Sequence, residues 1–271
     1  MKPVAFDYER PATLDAALKL LAREDANVKA VAGSQSLGPM LNLRLVQPDL
    51  LVDITAIPEL TAIGEDKGAL VLGACVTHAR LEDGGYPDPT RGVLARVAAG
   101  IAYRAVRNRG TVGGSLAHAD PAADWISALI ALGADIVVAG ASGRRTVPAG
   151  EFVVGTFEPA LRPGEIVAEI RVPALSANAR WGYAKICRKV GEFSHATGAV
   201  LVDPSRKFAR AVIGAVSGAP IVVDDPGVAA KDPGEAWVAD RLAGTALGGD
   251  AYQIRIHHVA LKRAITMAGT A

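Results

Sequence analysis

The sequence predicts an α+β protein: two units in which strands and helices are interleaved, followed by a C-terminal region of a small antiparallel sheet and helices. Three observations carry this. After about residue 173 a run of strands precedes two closing helices, the order expected of an α+β layer. Half of the 271 residues are hydrophobic but only 5% are aromatic, so there is ample core material and it is mostly Ala, Val, Leu and Ile. The 29 glycines and 16 prolines are spread along the chain rather than gathered in a tract, which excludes disordered and collagen-like character.

Residues 13–24 are expected to form a helix, because Thr13 can cap it and Leu14, Ala17, Leu18 and Leu21 recur at helical spacing. Residues 28–32 follow as a short buried strand, residues 40–45 as a helical turn and residues 50–54 as a second strand. Together they complete a β-α-β-like unit over 1–56. In the next unit, 57–173, residues 69–72 read as a strand, Thr77 can cap a short helix and residues 93–101 are a helical run. The three glycines within 109–115 predict an irregular loop. Residues 121–132 predict a helix with Trp125, Ala128, Leu129 and Leu132 on one face. Residues 135–139, with Val147 and Phe152 beyond, and residues 166–172 read as strands. The small, polar stretch 173–179 is the expected linker to a third unit, 174–271. There, 183–188, 198–202 and 209–216 read as antiparallel strands, and 234–242 and 252–267 as helices.

Composition excludes several functions. With 29 basic and 28 acidic residues the net charge is +1, so the chain lacks the basic excess a nucleic-acid binder uses to release counterions. The densest basic run is Arg104, Arg107 and Arg109, with no aromatic among them. Cys75 and Cys187 stand alone, which rules out a structural zinc site or an iron–sulfur cluster held by this chain and fits reduced thiols. The first ten residues include Asp7, Glu9 and Arg10 and leave no apolar signal segment, and the longest uncharged apolar stretch, 211–223, is too short to span a bilayer. A cytoplasmic protein without a membrane span is expected.

No two glycines are separated by a single residue, so the dinucleotide fingerprint G-x-G-x-x-G cannot occur. There is no Gly-Lys pair for a Walker A loop and no H-E-x-x-H. Two small-residue loops remain: Ala32-Gly33-Ser34-Gln35-Ser36, directly after a buried strand, and Gly110-Thr111-Val112-Gly113-Gly114-Ser115. Each offers backbone N–H groups and hydroxyls that can converge on an anion, and neither contains a lysine. A tight turn is the ordinary alternative for either loop alone. Neutral donors suit a retained diphosphate better than a triphosphate that turns over.

These two loops carry a resemblance. The phrase Val31-Ala32-Gly33-Ser34-Gln35-Ser36-Leu37, continued by Asn42-Leu43-Arg44 and Asp53-Ile54, resembles the FAD-binding medium subunit of molybdenum hydroxylases. That family includes carbon monoxide dehydrogenase and xanthine dehydrogenase relatives. The segment from Arg107 through Gly110-Thr111-Val112-Gly113-Gly114-Ser115 to Asp124 is similar to the family's second FAD loop, and the likeness extends over nearly the whole chain. The resemblance implies a two-subdomain PCMH-type (vanillyl-alcohol-oxidase-like) FAD-binding fold with a C-terminal flavoprotein domain. It further implies that Ala32, Gly33, Ser34, Gln35, Ser36 and Leu37 wrap the FAD diphosphate from one side and Thr111, Gly113, Gly114 and Ser115 from the other. Asp124 and Lys185 match cofactor contacts, and Leu161 matches an apolar residue near the flavin ring. Ile101 stands where xanthine-oxidising members place an aromatic ring, and Ser115 where many members have Asn.

By the same resemblance, the chain passes electrons from two [2Fe–2S] clusters on a small iron–sulfur subunit, by way of FAD, to an external acceptor. Substrate is oxidised at a molybdenum cofactor on a large subunit, and the expected assembly is a dimer of heterotrimers. No side chain of this subunit is expected to act as an essential acid or base, because the redox chemistry belongs to the flavin.

Two other functions bear on the same residues. Gly113-Gly114-Ser115-Leu116-Ala117 approximates a nucleophile elbow, so a serine hydrolase could use Ser115 with His195 and Asp203 or Asp224, although Ala117 replaces the final glycine. A scaffold subunit that has lost its cofactor is the other. His118 and Asp120 are read as braces for the second loop and the start of the following helix. His257 and His258 are too divergent on a helix to share a metal.

Overall fold

The computed structural model describes residues 1–269; the last two residues of the expected third unit, 270 and 271, lie outside the described residues. The chain opens with β1 (Asp7–Glu9), α1 (Leu14–Leu21), β2 (Val28–Val31), α2 (Leu37–Asn42) and β3 (Leu50–Asp53). The strands form a three-stranded parallel sheet in the order β1-β3-β2. Thr13 caps α1 by accepting from the Ala16 N–H at 3.3 Å, as the sequence predicts. The helix buries Leu14, Ala17 and Leu18 in the core that includes Leu50 and Val52 of β3. Each leucine so buried contributes about 1.5–3 kcal/mol. β1 was not predicted, because its three residues are all exposed and show no apolar alternation.

A second layer follows. α3 (Pro58–Thr61), β4 (Ile63–Asp66), β5 (Ala69–Gly73), α4 (His78–Asp83), α5 (Val93–Ala99), α6 (Arg104–Arg107), α7 (Val112–His118) and α8 (Asp124–Leu132) lead to β6 (Asp135–Gly140) and β7 (Gly143–Pro148). Next come α9 (Ala149–Phe152), the short pair β8 (Val153–Gly155) and β9 (Glu158–Pro159), and β10 (Ile166–Pro173). Strands β4-β5-β10-β6-β7 make an antiparallel five-stranded sheet with β10 in its middle. Phe152 ends a helical turn rather than a strand; its ring is fully buried, and Pro148, which starts that turn, breaks the ladder.

The main correction concerns residues 109–115, expected to be irregular. Thr111 instead caps α7, accepting from the Gly114 N–H at 3.1 Å, and Gly113 and Gly114 lie inside the helix. Gly113 is there for proximity: a Cβ on it would lie 2.4 Å from the Ala74 Cβ and 2.8 Å from the Ala74 carbonyl oxygen.

The C-terminal region holds β11 (Arg180–Ile186), β12 (Ala196–Asp203), β13 (Phe208–Gly214) and β14 (Ile221–Val223), an antiparallel sheet in chain order. Helices α10 (Pro226–Ala230), α11 (Glu235–Leu242) and α12 (Ala251–Gly269) pack against it. Every residue of α8 is buried, not one face only, because the helix is enclosed between the five-stranded sheet and β12 and β13. No helix among the described residues is long and apolar enough to cross a membrane.

Candidate functional site

A cleft of about 470 Å³ runs between the two sheets of the first 173 residues, with a C-terminal loop closing one end. Its walls are the end of β2, the loop into α2, the turn after α5, the start of α7 and α8, the start of β10, and Gly191 to Phe193. The structure brings Ala32, Gly33, Ser34, Gln35, Ser36, Leu37, Ile101, Thr111, Gly113, Gly114, Ser115, Asp124 and Leu161 into these walls.

The first loop is shaped as an anion cradle. Ser34 sits in the left-handed region at φ 59°, which turns successive N–H groups to one side. The N–H groups of Gly33, Ser34, Gln35, Ser36 and Leu37 find no acceptor among the described residues. The Gln35 amide donates to the Gly33 carbonyl at 3.0 Å and holds the turn. Unpartnered backbone donors in a row are costly unless something outside the chain meets them.

The second loop differs from its sequence expectation. The Val112 N–H donates to the Val76 carbonyl at 3.0 Å, Gly113 to Ala74 at 2.9 Å and Ser115 to Thr111 at 3.0 Å. With Gly114 bound to the Thr111 hydroxyl, all four are spent on folding. This side of the cleft offers the Thr111 N–H, the Ser115 hydroxyl and side chains, not a nest of N–H groups. The two loops are in contact, since a Cβ on Gly33 would lie 2.1 Å from the Arg109 carbonyl oxygen.

Asp124, the first residue of α8, is buried and fully partnered. The Tyr183 hydroxyl donates to its Oδ1 at 2.7 Å, and the Lys185 ammonium lies 2.9 Å from Oδ1 and 3.1 Å from Oδ2. Lys185 also donates to the Gly100 carbonyl at 2.8 Å. It does not line the cleft; it ties β11 to the walls from behind. Burial first, and Asp124 second, hold the Tyr183 phenol far above its ordinary pKa. Tyr183 escaped the sequence reading, though it lies two residues before Lys185 and hence on the same face of the strand.

The turn after α5 is braced in the same manner. Arg107 donates to the Ile101 and Ala102 carbonyls at 2.8 and 3.1 Å while Glu82 clamps its guanidinium through two bonds of 2.8 Å. Ala102 is thereby held at φ 41°. Asp120 accepts from the Ala122 N–H at 2.9 Å and so shapes the approach to α8, as expected.

No histidine is hydrogen-bonded to Ser115 among the described residues, and His195 is exposed, its backbone N–H donating to the Ile186 carbonyl at 2.7 Å. Ser115 lies inside α7, not on a strand-to-helix elbow, and the site is not arranged for nucleophilic attack. His257 bonds the Gln253 carbonyl at 2.8 Å and His258 bonds Asp232 at 2.8 Å. Among the described residues no three metal-ligating side chains cluster.

A two-layer cleft with an N–H cradle on one side and a capped helix on the other is a place for an extended, anionic cofactor. The chain belongs to the molybdenum hydroxylase medium subunits: residues 4–175 match the family described as the FAD binding domain in molybdopterin dehydrogenase. It is 40% identical over 205 residues to the carbon monoxide dehydrogenase medium chain of Hydrogenophaga pseudoflava, covering 76% of this chain and 71% of that one. It is 37% identical over 220 residues to the 6-hydroxypseudooxynicotine dehydrogenase complex subunit alpha of Paenarthrobacter nicotinovorans, covering 80% and 74%. The carbon monoxide dehydrogenase structure from Hydrogenophaga pseudoflava superposes with a TM-score of 0.89 at 35% identity, over 100% of this chain and 99% of that one. The fold and the oxidoreductase class expected from the sequence are those of these relatives.

Proposed function

We propose that this chain is the electron-transfer subunit of a cytoplasmic three-subunit molybdenum hydroxylase, working as a dimer of heterotrimers. In that assembly a small subunit with two [2Fe–2S] clusters delivers electrons that originate at a molybdenum cofactor on a large subunit. Bound FAD supplies the redox chemistry that hands them to an external acceptor. The observation that carries this reading is the row of unpartnered N–H groups from Gly33 to Leu37, facing a cleft that a diphosphate would complete.

The residues of this chain bind and orient. The first loop holds the diphosphate through neutral donors, and the Ser115 hydroxyl meets it from α7. Ile101 and Leu161 give the ring end an apolar wall. Asp124 and Lys185 neutralise each other behind that wall, so Lys185 acts on the cofactor by fixing Asp124 and the Gly100 turn rather than by touching it. The division into 1–56, 57–173 and 174–271 fits this work, the first two units giving the loops and the third giving Gly191 to Phe193 at the ring end.

The test is the visible absorption of the purified full-length chain after adding FAD. A yellow protein with stoichiometric flavin is expected. A chain that stays colourless is a scaffold without cofactor and ends the reading.

A further inference from the structure

Among the buried ionisable groups, His78 stands apart from the Asp124, Tyr183 and Lys185 cluster. It opens α4, is only 5% exposed, and lines the cleft. The Trp125 indole N–H donates to its Nδ1 at 3.0 Å. Indole only donates, so Nδ1 carries no hydrogen and the neutral ring must bear its proton on Nε2. Trp125 is itself fully buried and cannot swing away, which locks this tautomer. Burial, reinforced by the nearby Arg107, pulls the ring down to about 4, so it stays neutral near pH 7. The Nε2–H finds no acceptor among the described residues.

Its position is specific. A Cβ on Gly110 would lie 2.8 Å from His78 Nε2, so the ring edge rests on Gly110. The Gly110 Cα is in turn 2.8 Å from where a Cβ on Gly33 would lie. The free donor therefore sits at the seam where the two loops meet. On the α7 side of that seam the N–H groups of residues 112 to 115 are already used, and only the Thr111 N–H is left without an acceptor among the described residues.

We propose that the His78 Nε2–H donates a hydrogen bond to the diphosphate of the bound dinucleotide, supplying from the second-loop side a side-chain donor beside the Thr111 N–H, where the N–H groups of residues 112 to 115 are spent. This rests on the FAD reading above. It assigns a binding role to a residue outside both glycine loops, and makes Trp125 a positioning residue that acts through His78.

The experiment measures FAD and ADP dissociation constants of the full-length chain for wild type, His78→Asn and His78→Gln. Asn keeps an acceptor for Trp125 but cannot place an N–H at Nε2, whereas Gln can. For His78→Asn, FAD and ADP should both weaken by roughly 10–100-fold, the worth of a hydrogen bond to a charged group, at nearly unchanged melting temperature. His78→Gln should recover most of the affinity. In wild type, the ¹⁵N signal of His78 Nε2 should show the protonated tautomer and move when ADP is added. Wild-type affinity in His78→Asn, a loss for FAD but not ADP, or an Nε2 signal unmoved by ADP overturns the proposal while leaving the FAD reading intact. A wild-type chain that binds neither ligand overturns both.

Discussion

Gly33 and Arg109 touch so closely that the carbonyl oxygen of Arg109 occupies the space of a side chain at position 33, at 2.1 Å. The contact joins the parallel sheet's loop to the loop entering α7, so each half of the cleft is braced by the other.

Gly33→Ala should therefore part the loops. Overpacking against backbone costs about 1–3 kcal/mol, and flavin content should fall to near zero in a chain that still folds. Gly114→Ala is expected to be milder, about 1 kcal/mol, because the one close neighbour of its Cβ would be the capping Thr111 hydroxyl at 2.7 Å, the next being the Ala32 Cβ at 3.9 Å. Thermal melting together with flavin absorbance separates the two. Full flavin in Gly33→Ala would mean that the diphosphate lies elsewhere.

Ser115→Ala should keep its flavin and most electron transfer to an artificial acceptor, since the hydroxyl is one donor among several. A hydrolase would lose all activity, so ester turnover by the wild type that vanishes in this variant would reinstate the nucleophile.

Lys185→Met leaves the buried Asp124 carboxylate with the Tyr183 hydroxyl alone. Stranding a buried charge costs about 3–5 kcal/mol. Adding Asp124→Asn should restore much of it, a coupling readable in a double-mutant cycle by urea denaturation. Additive losses would show that the pair is not a unit.

His78 gives stability a pH dependence. Its ordinary value of 6.5 falls to about 4 on folding, so between these values the unfolded chain takes up a proton that the folded chain refuses. Stability is then complete above the ordinary value and declines as the pH drops toward the folded one; from about pH 7 to about pH 5 the loss should approach about 2 kcal/mol. His257, lowered by burial, acts with the same sign. Urea midpoints that stay flat over this interval in wild type would contradict it, and His78→Asn should flatten the slope.

Of the two thiols, only half-buried Cys187 should react with a maleimide in the folded chain. Burial pushes Cys75 up to about 12, and it is 4% exposed. Mass spectrometry should show one label in buffer and two in denaturant.

Much of this was legible in the sequence. The Thr13 and Thr77 caps, the paired strands around residues 28–31 and 50–53, and the two glycine loops all follow from local chemistry. What escaped depends on contacts between distant segments. Glycines ordinarily interrupt helices, but α7 must carry one at position 113 because Ala74 leaves no room there for a Cβ. Two of the spent N–H groups at the start of α7, those of Val112 and Gly113, go to Val76 and Ala74 some forty residues earlier, and no spacing rule reveals them. His78 gains meaning only from Trp125, and Lys185 is turned from the cleft by Asp124 and Gly100.

The placement of β10 between β5 and β6 has a consequence for synthesis. The strand that fills the middle of its sheet is the last of the five to leave the ribosome. Until then β5 and β6 each hold an open edge, the kind of surface on which nascent chains aggregate. The two loops that meet at Gly33 and Arg109 are thus both translated before the strand that completes the five-stranded sheet.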